Sequence, residues 1–269
     1  MPTRQAQAFI SQFHNPFVER AATEAHRGLV DHYVGKGFSA AEAETRSVRL
    51  LNEIYVRSLP VPQQPDAVFN AGPGGRVDPQ RNLHLRNEFL RTHPDTAYGD
   101  WDHRSTNFIN QKFPFGSLKP GEEHVKLSLF NFNSGLVAMH AAREGKNIVP
   151  FVAGLHQSRS PDSIWAKTEF PTFLYEVRKH AVAANAQIAG MPAYELARSV
   201  STNHMHSPEL IFALSRRIGA ELGDATRFDA SLALQGKQVA LPGHDLNKPV
   251  FNTAGRPGNL KTVKREHTL

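Results

Sequence analysis

The stretch 125-VKLSLFNFNSGLVAMHAAREGKNIVPFVAG-154 contains the clearest change of hydrophobic period in the chain. Val125 to Phe132 begins with apolar residues at every second position, which is typical of a half-buried strand. Ser134 then precedes a helical pattern from Gly135 to Glu144, which ends at Gly145. Asn147 to Gly154 is a continuous apolar run typical of a buried strand. This order predicts an α+β fold with a small central sheet flanked by helices.

The residues before this stretch have a helical pattern. Pro16 to Val34 carries apolar residues at helical spacing, and Ser39 with Glu42 matches the capping box that begins many helices. The second helical pattern extends to Leu59, where Pro60 stops it. We therefore expect the first third of the chain to form a helical N-terminal layer.

Composition divides the chain into four predicted segments. Residues 1–59 are the helical N-terminal region, and residues 60–79 form a connection rich in Pro and Gly. Residues 80–235 are predicted to be the α+β core. Residues 236–269, again rich in Gly, Pro and Asn, are predicted to be a loosely ordered tail.

The overall composition narrows the classes of protein that fit. A hydrophobic fraction of 40% and a charged fraction of 21% indicate a folded chain rather than a disordered one. The absence of cysteine excludes thiolate zinc sites, cysteine nucleophiles, iron–sulfur clusters and disulfides. No segment resembles a signal peptide or a membrane span. We expect the protein in the cytoplasm, or translocated into another cell by a specialised secretion system.

One pattern that could carry chemistry occurs twice, as 156-HQSRSPD-162 and 204-HMHSPE-209. In each copy a serine, a proline and an acidic residue form a strong helix start beside histidines. Helix N-termini attract anions, and a neutral imidazole beside a bound phosphate can act as a general base. The predicted catalytic residues are His156, His204 and His206, and the predicted substrate-binding residues are Ser158, Arg159, Ser160 and Ser207.

A second polar cluster consists of Asp100, Asp102 and His103. Carboxylate and imidazole ligands suit divalent cations, but the same residues are more typical of a polar turn. The turn is the favoured interpretation, so no metal site is predicted there.

Two short motifs resemble known families of phosphodiester-cleaving enzymes. The run 86-RNEFLRTH-93 resembles the signature of HEPN ribonucleases, and this resemblance implies that Arg86 and His93 act on RNA. His206 with His244 and Asp245 resembles the metal ligands of HD-type phosphohydrolases. That family's final aspartate has no counterpart after Asp245.

The hypothesis that follows is an enzyme acting on a phosphate-bearing or nucleotide-like substrate, by phosphoester cleavage or by group transfer from a nucleotide such as NAD. The expected partner is an anionic small molecule or nucleotide, and no cofactor is assigned. One alternative is a non-enzymatic interaction protein with a protein partner, such as a translocated bacterial effector. A second alternative is a ribonuclease or nucleic-acid binder, although the basic residues form no cluster typical of one.

Overall fold

A computed structural model describes most of the first 60 residues and several later segments. The described residues are 2–60, 67–71, 103–114, 118–119, 121–152, 163–180, 185–188, 191–211 and 213–214. The chain divides into two compact units. The first comprises Met1–Gln63 with Gly99–His140, and the second comprises Gln64–Tyr98 with Ala141–Leu269.

The first unit is built from five helices in its described residues. These are α1 (Arg4–Ser11), α2 (Pro16–Gly35), α3 (Ala40–Ser58), α4 (His103–Lys112) and α5 (Glu122–Arg143), whose last turn passes into the second unit.

Local sequence signals set the first helix boundaries. Asn15 caps α2, because its side-chain oxygen accepts from the amides of Phe17 at 3.1 Å and Val18 at 3.2 Å. The predicted capping box is confirmed, since Ser39 and Glu42 exchange hydrogen bonds at the start of α3.

The prediction of a strand at Val125–Phe132 is wrong, because this segment lies inside the 22-residue helix α5. Val125, Leu129 and Phe132 are buried at spacings of four and three, and this apolar stripe continues into the next turns. Leu127 is 57% exposed, although a half-buried strand would have buried it with Val125 and Leu129. Ser134 consequently lies in mid-helix and caps nothing.

The end of the same helix agrees with the sequence. α5 ends at Arg143, and Gly145 follows with a φ of 65°, a left-handed conformation that glycine adopts without strain.

Strands are short in the described part of the second unit. β1 (Ala67–Ala71) pairs in parallel with β2 (Asn147–Val152), and the two-residue strands β3 (Gln187–Ile188) and β4 (Met191–Pro192) follow in the order β1-β2-β3-β4. The described chain is mostly helical. The predicted α+β class with a small central sheet flanked by helices is therefore wrong.

The remaining described helices belong to the second unit. A π-helix (Trp165–Glu169) leads into α6 (Phe170–Lys179), and the short helices α7 (Tyr194–Ser199) and α8 (Thr202–Met205) follow. Glu176 of α6 is fully buried, and Arg143 donates to it from Nε at 2.8 Å. The apolar pattern from Phe173 to Ala189 also predicts a single helix, but α6 ends at Lys179, ten residues earlier. No helix in the described part of the chain is long and apolar enough to cross a membrane.

The core of the first unit contains a cluster of aromatic rings and a close crossing of α2 with α5. Phe9, Phe13, Tyr55 and Phe132 form edge-to-face aromatic contacts with centroid separations of 5.4 to 6.4 Å. Gly28 of α2 lies close to α5: a Cβ there would be 3.6 Å from Ser128 Oγ and 3.8 Å from Val125 Cγ2. One turn beyond Gly28, this crossing brings His32 to Glu122 at the start of α5.

Candidate functional site

The first copy of the predicted histidine motif lies outside the described residues. It contains His156, Ser158, Arg159 and Ser160. The roles predicted for these residues therefore stay a prediction.

The second copy lies in and after α8, and its helix start has the predicted hydrogen bonds. Ser207 Oγ accepts from the amide of Leu210 at 3.4 Å, and the same hydroxyl donates to Glu209 Oε2 at 3.0 Å. His204 and His206 are both exposed.

Of this second copy, His204 lines a cavity of about 480 Å³ in the second unit, and neither His206 nor Ser207 is among its described lining residues. Most of the lining is apolar, including Val200, Leu210 and Ile211. An anion would find one histidine and few other polar groups in this cavity.

The other motifs singled out in the sequence contribute little to a described site. Asp100, Asp102, Arg86, His93, His244 and Asp245 lie outside the described residues, and His103 is the first residue of α4. Within the described segments, no group of three His, Asp or Glu side chains could hold a metal ion.

A cleft of about 420 Å³ that is bordered by ionisable side chains lies in the first unit, between α2 and the start of α5. Its ionisable lining residues are Asp31 and His32 of α2 and Lys36 just after it, with Lys119, Glu122 and His124 at the other wall. The rest of its described lining consists of three glycines and Val125. The cleft therefore gathers six ionisable side chains around a volume that suits a small ligand.

Glu122 is the electrostatic centre of this cleft. Its Oε2 accepts from the backbone amide of Lys119 at 2.9 Å, and its Oε1 lies 3.4 Å from Lys36 Nζ and 3.7 Å from His32 Nδ1. The amide of Lys119, followed by the Lys36 ammonium, lowers the pKa of Glu122 against an opposing effect of burial. Glu122 is consequently a carboxylate at neutral pH.

His32 is the buried imidazole of the cleft. Its side chain is 8% exposed, and the rings of Tyr33 and Phe113 pack on it with centroids 5.4 Å away. Burial, and then the nearby Lys36 ammonium, lower the pKa of His32, while Glu122 opposes them. His32 is therefore neutral at neutral pH. Its 3.7 Å separation from Glu122 is longer than a hydrogen bond.

The opposite wall of the cleft adds positive charge. It is the N-terminus of α5, a 22-residue helix whose first amides carry a partial positive charge. On the α2 side of the cleft, the Lys36 side chain is 48% exposed and can reach a ligand. A buried neutral base, a mobile cation and a helix N-terminus together form an arrangement that can bind an anion and transfer a proton.

A second histidine of α2 lies in a cluster that resembles a catalytic triad. His26 Nδ1 is 2.8 Å from Ser47 Oγ, and His26 Nε2 is 3.2 Å from Glu44 Oε2. A catalytic serine needs access to substrate, but Ser47 has no exposed surface and His26 is 3% exposed. This cluster therefore joins α2 to α3 and is not an active site.

Lys126 is another buried ionisable group of the first unit. It is 2% exposed, its Nζ donates to the carbonyl of Phe113 just beyond α4, and burial lowers its pKa. A cation at a helix C-terminus stabilises the last carbonyls, so this side chain fastens α4 to α5.

The cleft could not be foreseen while Val125–Phe132, in the first turns of α5, was predicted to be a strand. The signal was present in 119-KPGEE-123, where proline, glycine and two acidic residues favour a helix start. His32, within the predicted helix Pro16 to Val34, and Lys36, four residues further along the chain, were a second signal.

Comparisons with known proteins identify no relative. No family model matches the sequence, and neither the curated proteins nor the solved structures include a significant match.

Proposed function

We propose that the protein binds a small phosphate-bearing or nucleotide-like ligand in the cleft between α2 and α5, with His32 as the acid–base group. The observation that carries this proposal is the buried imidazole of His32 beside Lys36 and Glu122 at the start of a long helix. The reaction would be phosphoester cleavage or group transfer, as the sequence suggested, but at a different group of residues.

Each residue of the cleft has a distinct part in this proposal. Lys36 would pair with a phosphate oxygen, because its ammonium is half exposed and lies at the cleft wall. His32, neutral in the empty cleft, would accept a proton from the attacking group or from water. Glu122 would orient both side chains, and the adjacent cation and helix N-terminus would compensate its charge.

Calorimetric titration with inorganic phosphate, ADP and NAD tests the proposal. We expect wild-type protein to bind at least one of them, and Lys36→Ala to weaken that binding by about tenfold, the scale of one hydrogen bond to a charged group. Lys112→Ala is the matched control, because Lys112 is an exposed lysine of the same unit that does not line the cleft. Equal weakening by both substitutions would contradict a specific site.

The second candidate is a non-enzymatic interaction protein, a class that also fits a chain translocated into another cell. The observation in its favour is the largely apolar cavity beside His204, where Leu210 is 46% exposed. A wild-type protein that binds none of the three ligands would favour this candidate. Nucleic-acid binding would instead give a steep loss of affinity with added salt.

A further inference from the structure

We propose that anion binding in the cleft between α2 and α5 is coupled to the uptake of one proton by His32. This inference rests on the proposed function, because it requires that the cleft bind an anion. It adds that the protein binds its ligand together with a proton, so that acidity controls occupancy of the site.

The His32 imidazole lies where water has little access to it. The His32 side chain is nine-tenths buried and packed between Tyr33 and Phe113, so water cannot surround the ring when it is charged. Charged groups of the protein and its ligand must then stabilise an imidazolium at this place.

Charged side chains from both walls of the cleft face the His32 ring. On the α2 side they are Asp31 and Lys36, and on the opposite wall they are Lys119, Glu122 and His124. Glu122 lies 3.7 Å from His32 Nδ1, but the same carboxylate oxygen lies 3.4 Å from Lys36 Nζ. In the empty cleft, the attraction of Glu122 for an imidazolium is thus offset by the neighbouring ammonium.

A bound anion would change the balance of charge around His32. An anion that pairs with Lys36 cancels the repulsion between the ammonium and the ring, and it adds a second negative charge near His32. Protonated His32 would then lie between Glu122 and the anion.

Linkage fixes the sign of the pH dependence. Because binding raises the pKa of His32 from its lowered value, affinity increases as the pH falls through the pKa of the complex. Affinity becomes constant below the pKa of the free protein. Uptake of a single proton limits the change in Kd to about tenfold per pH unit between those two values.

Sulfate is the probe that tests this coupling, because it stays a dianion between about pH 5 and 8, so any proton taken up must come to the protein. Titration calorimetry in two buffers of different ionisation enthalpy measures that uptake directly. For wild-type protein we expect an uptake approaching one proton and a Kd about tenfold weaker at pH 8 than at pH 6. His32→Gln should bind sulfate with a Kd nearly independent of pH.

His14→Asn is the matched control, since His14 is an exposed histidine of the same unit that does not line the cleft, and asparagine tolerates its φ of 53°. It should leave the proton uptake of the wild type unchanged. Should His32→Gln fail to fold, histidine NMR titrations of wild-type protein with and without sulfate give the same answer: one buried histidine should show a raised pKa in the complex.

Three outcomes would overturn the inference. Sulfate binding without proton uptake would overturn it and leave the proposed function standing. Proton uptake that persists in His32→Gln would show that another residue takes up the proton. Failure of sulfate, phosphate and nucleotide to bind at any pH would overturn the proposed function as well.

Discussion

Two histidines on the same helix, six residues apart, have opposite surroundings. His26 is sealed between α2 and α3, within 2.8 Å of Ser47 and 3.2 Å of Glu44. His32 lies beside a cleft and approaches its glutamate no closer than 3.7 Å. Both pair an imidazole with a carboxylate, so residue types alone do not separate a structural cluster from a candidate site. His32 borders a cleft, whereas His26 lies in the contact between α2 and α3, and this difference in location separates the two.

The largest effect that would test this contrast is on stability. His26→Ala should lower the free energy of unfolding by about 2 to 4 kcal/mol, because it leaves a void and removes one of the two hydrogen-bond partners of the buried Ser47 hydroxyl, the other being the backbone carbonyl of residue 26. Urea denaturation at neutral pH measures the change. His32→Ala serves as the comparison and should cost about 1 kcal/mol, because water in the cleft can replace part of the ring. Equal losses in both variants would remove the distinction.

A smaller effect with a definite pH dependence is expected at Glu122. The folded protein lowers the pKa of this carboxyl, so its contribution to stability is complete above the unfolded pKa and is lost as the pH falls through the folded one. Glu122→Gln should therefore be less stable than wild type by about 0.5 to 1 kcal/mol at neutral pH, the scale of a charge at a helix N-terminus. The difference should shrink as the pH falls below the unfolded pKa, and it should disappear below the lowered pKa of the folded state. A difference that persists in acid would show that the side chain acts by packing.

The smallest expected effect concerns the helix crossing that forms the open cleft. Gly28→Ala should raise stability by about 0.5 kcal/mol, since alanine favours the helix and its Cβ would meet Ser128 and Val125 at ordinary contact distances. Differential scanning calorimetry would detect this as a higher Tm. Gly35→Ala is the control, because a Cβ there has no neighbour within 4 Å. A lower Tm for Gly28→Ala alone would indicate a tighter crossing.

The sequence predicted local features well because their causes are local. The capping box of Ser39 and Glu42, the helix that begins at Pro16 and the stop at Gly145 each depend on residues within one or two turns. The strand prediction at Val125–Phe132 failed because a few alternating apolar residues are also compatible with a helix. The sequence does not show which helix packs against this segment, so the pattern could not decide between the two. Burial of Lys126 and exposure of Leu127 are decided by contacts with distant helices.

The candidate cleft could not be predicted for a related reason. His32 and Glu122 are 90 positions apart in the chain, and no periodic pattern relates them. Their approach depends on the close packing at Gly28, which becomes visible only when α2 and α5 are seen together.

The two units also interrupt each other along the chain, and this order has a consequence for synthesis. The first unit begins at Met1 but is completed only at His140, after Gln64–Tyr98 has been made for the second unit. During translation, α2 and α3 are therefore synthesised well before α5, against which the core of the first unit packs. In the same way, β1 is synthesised before β2, with which it pairs. We expect folding to be late relative to translation, and no single proteolytic cut can release either unit intact.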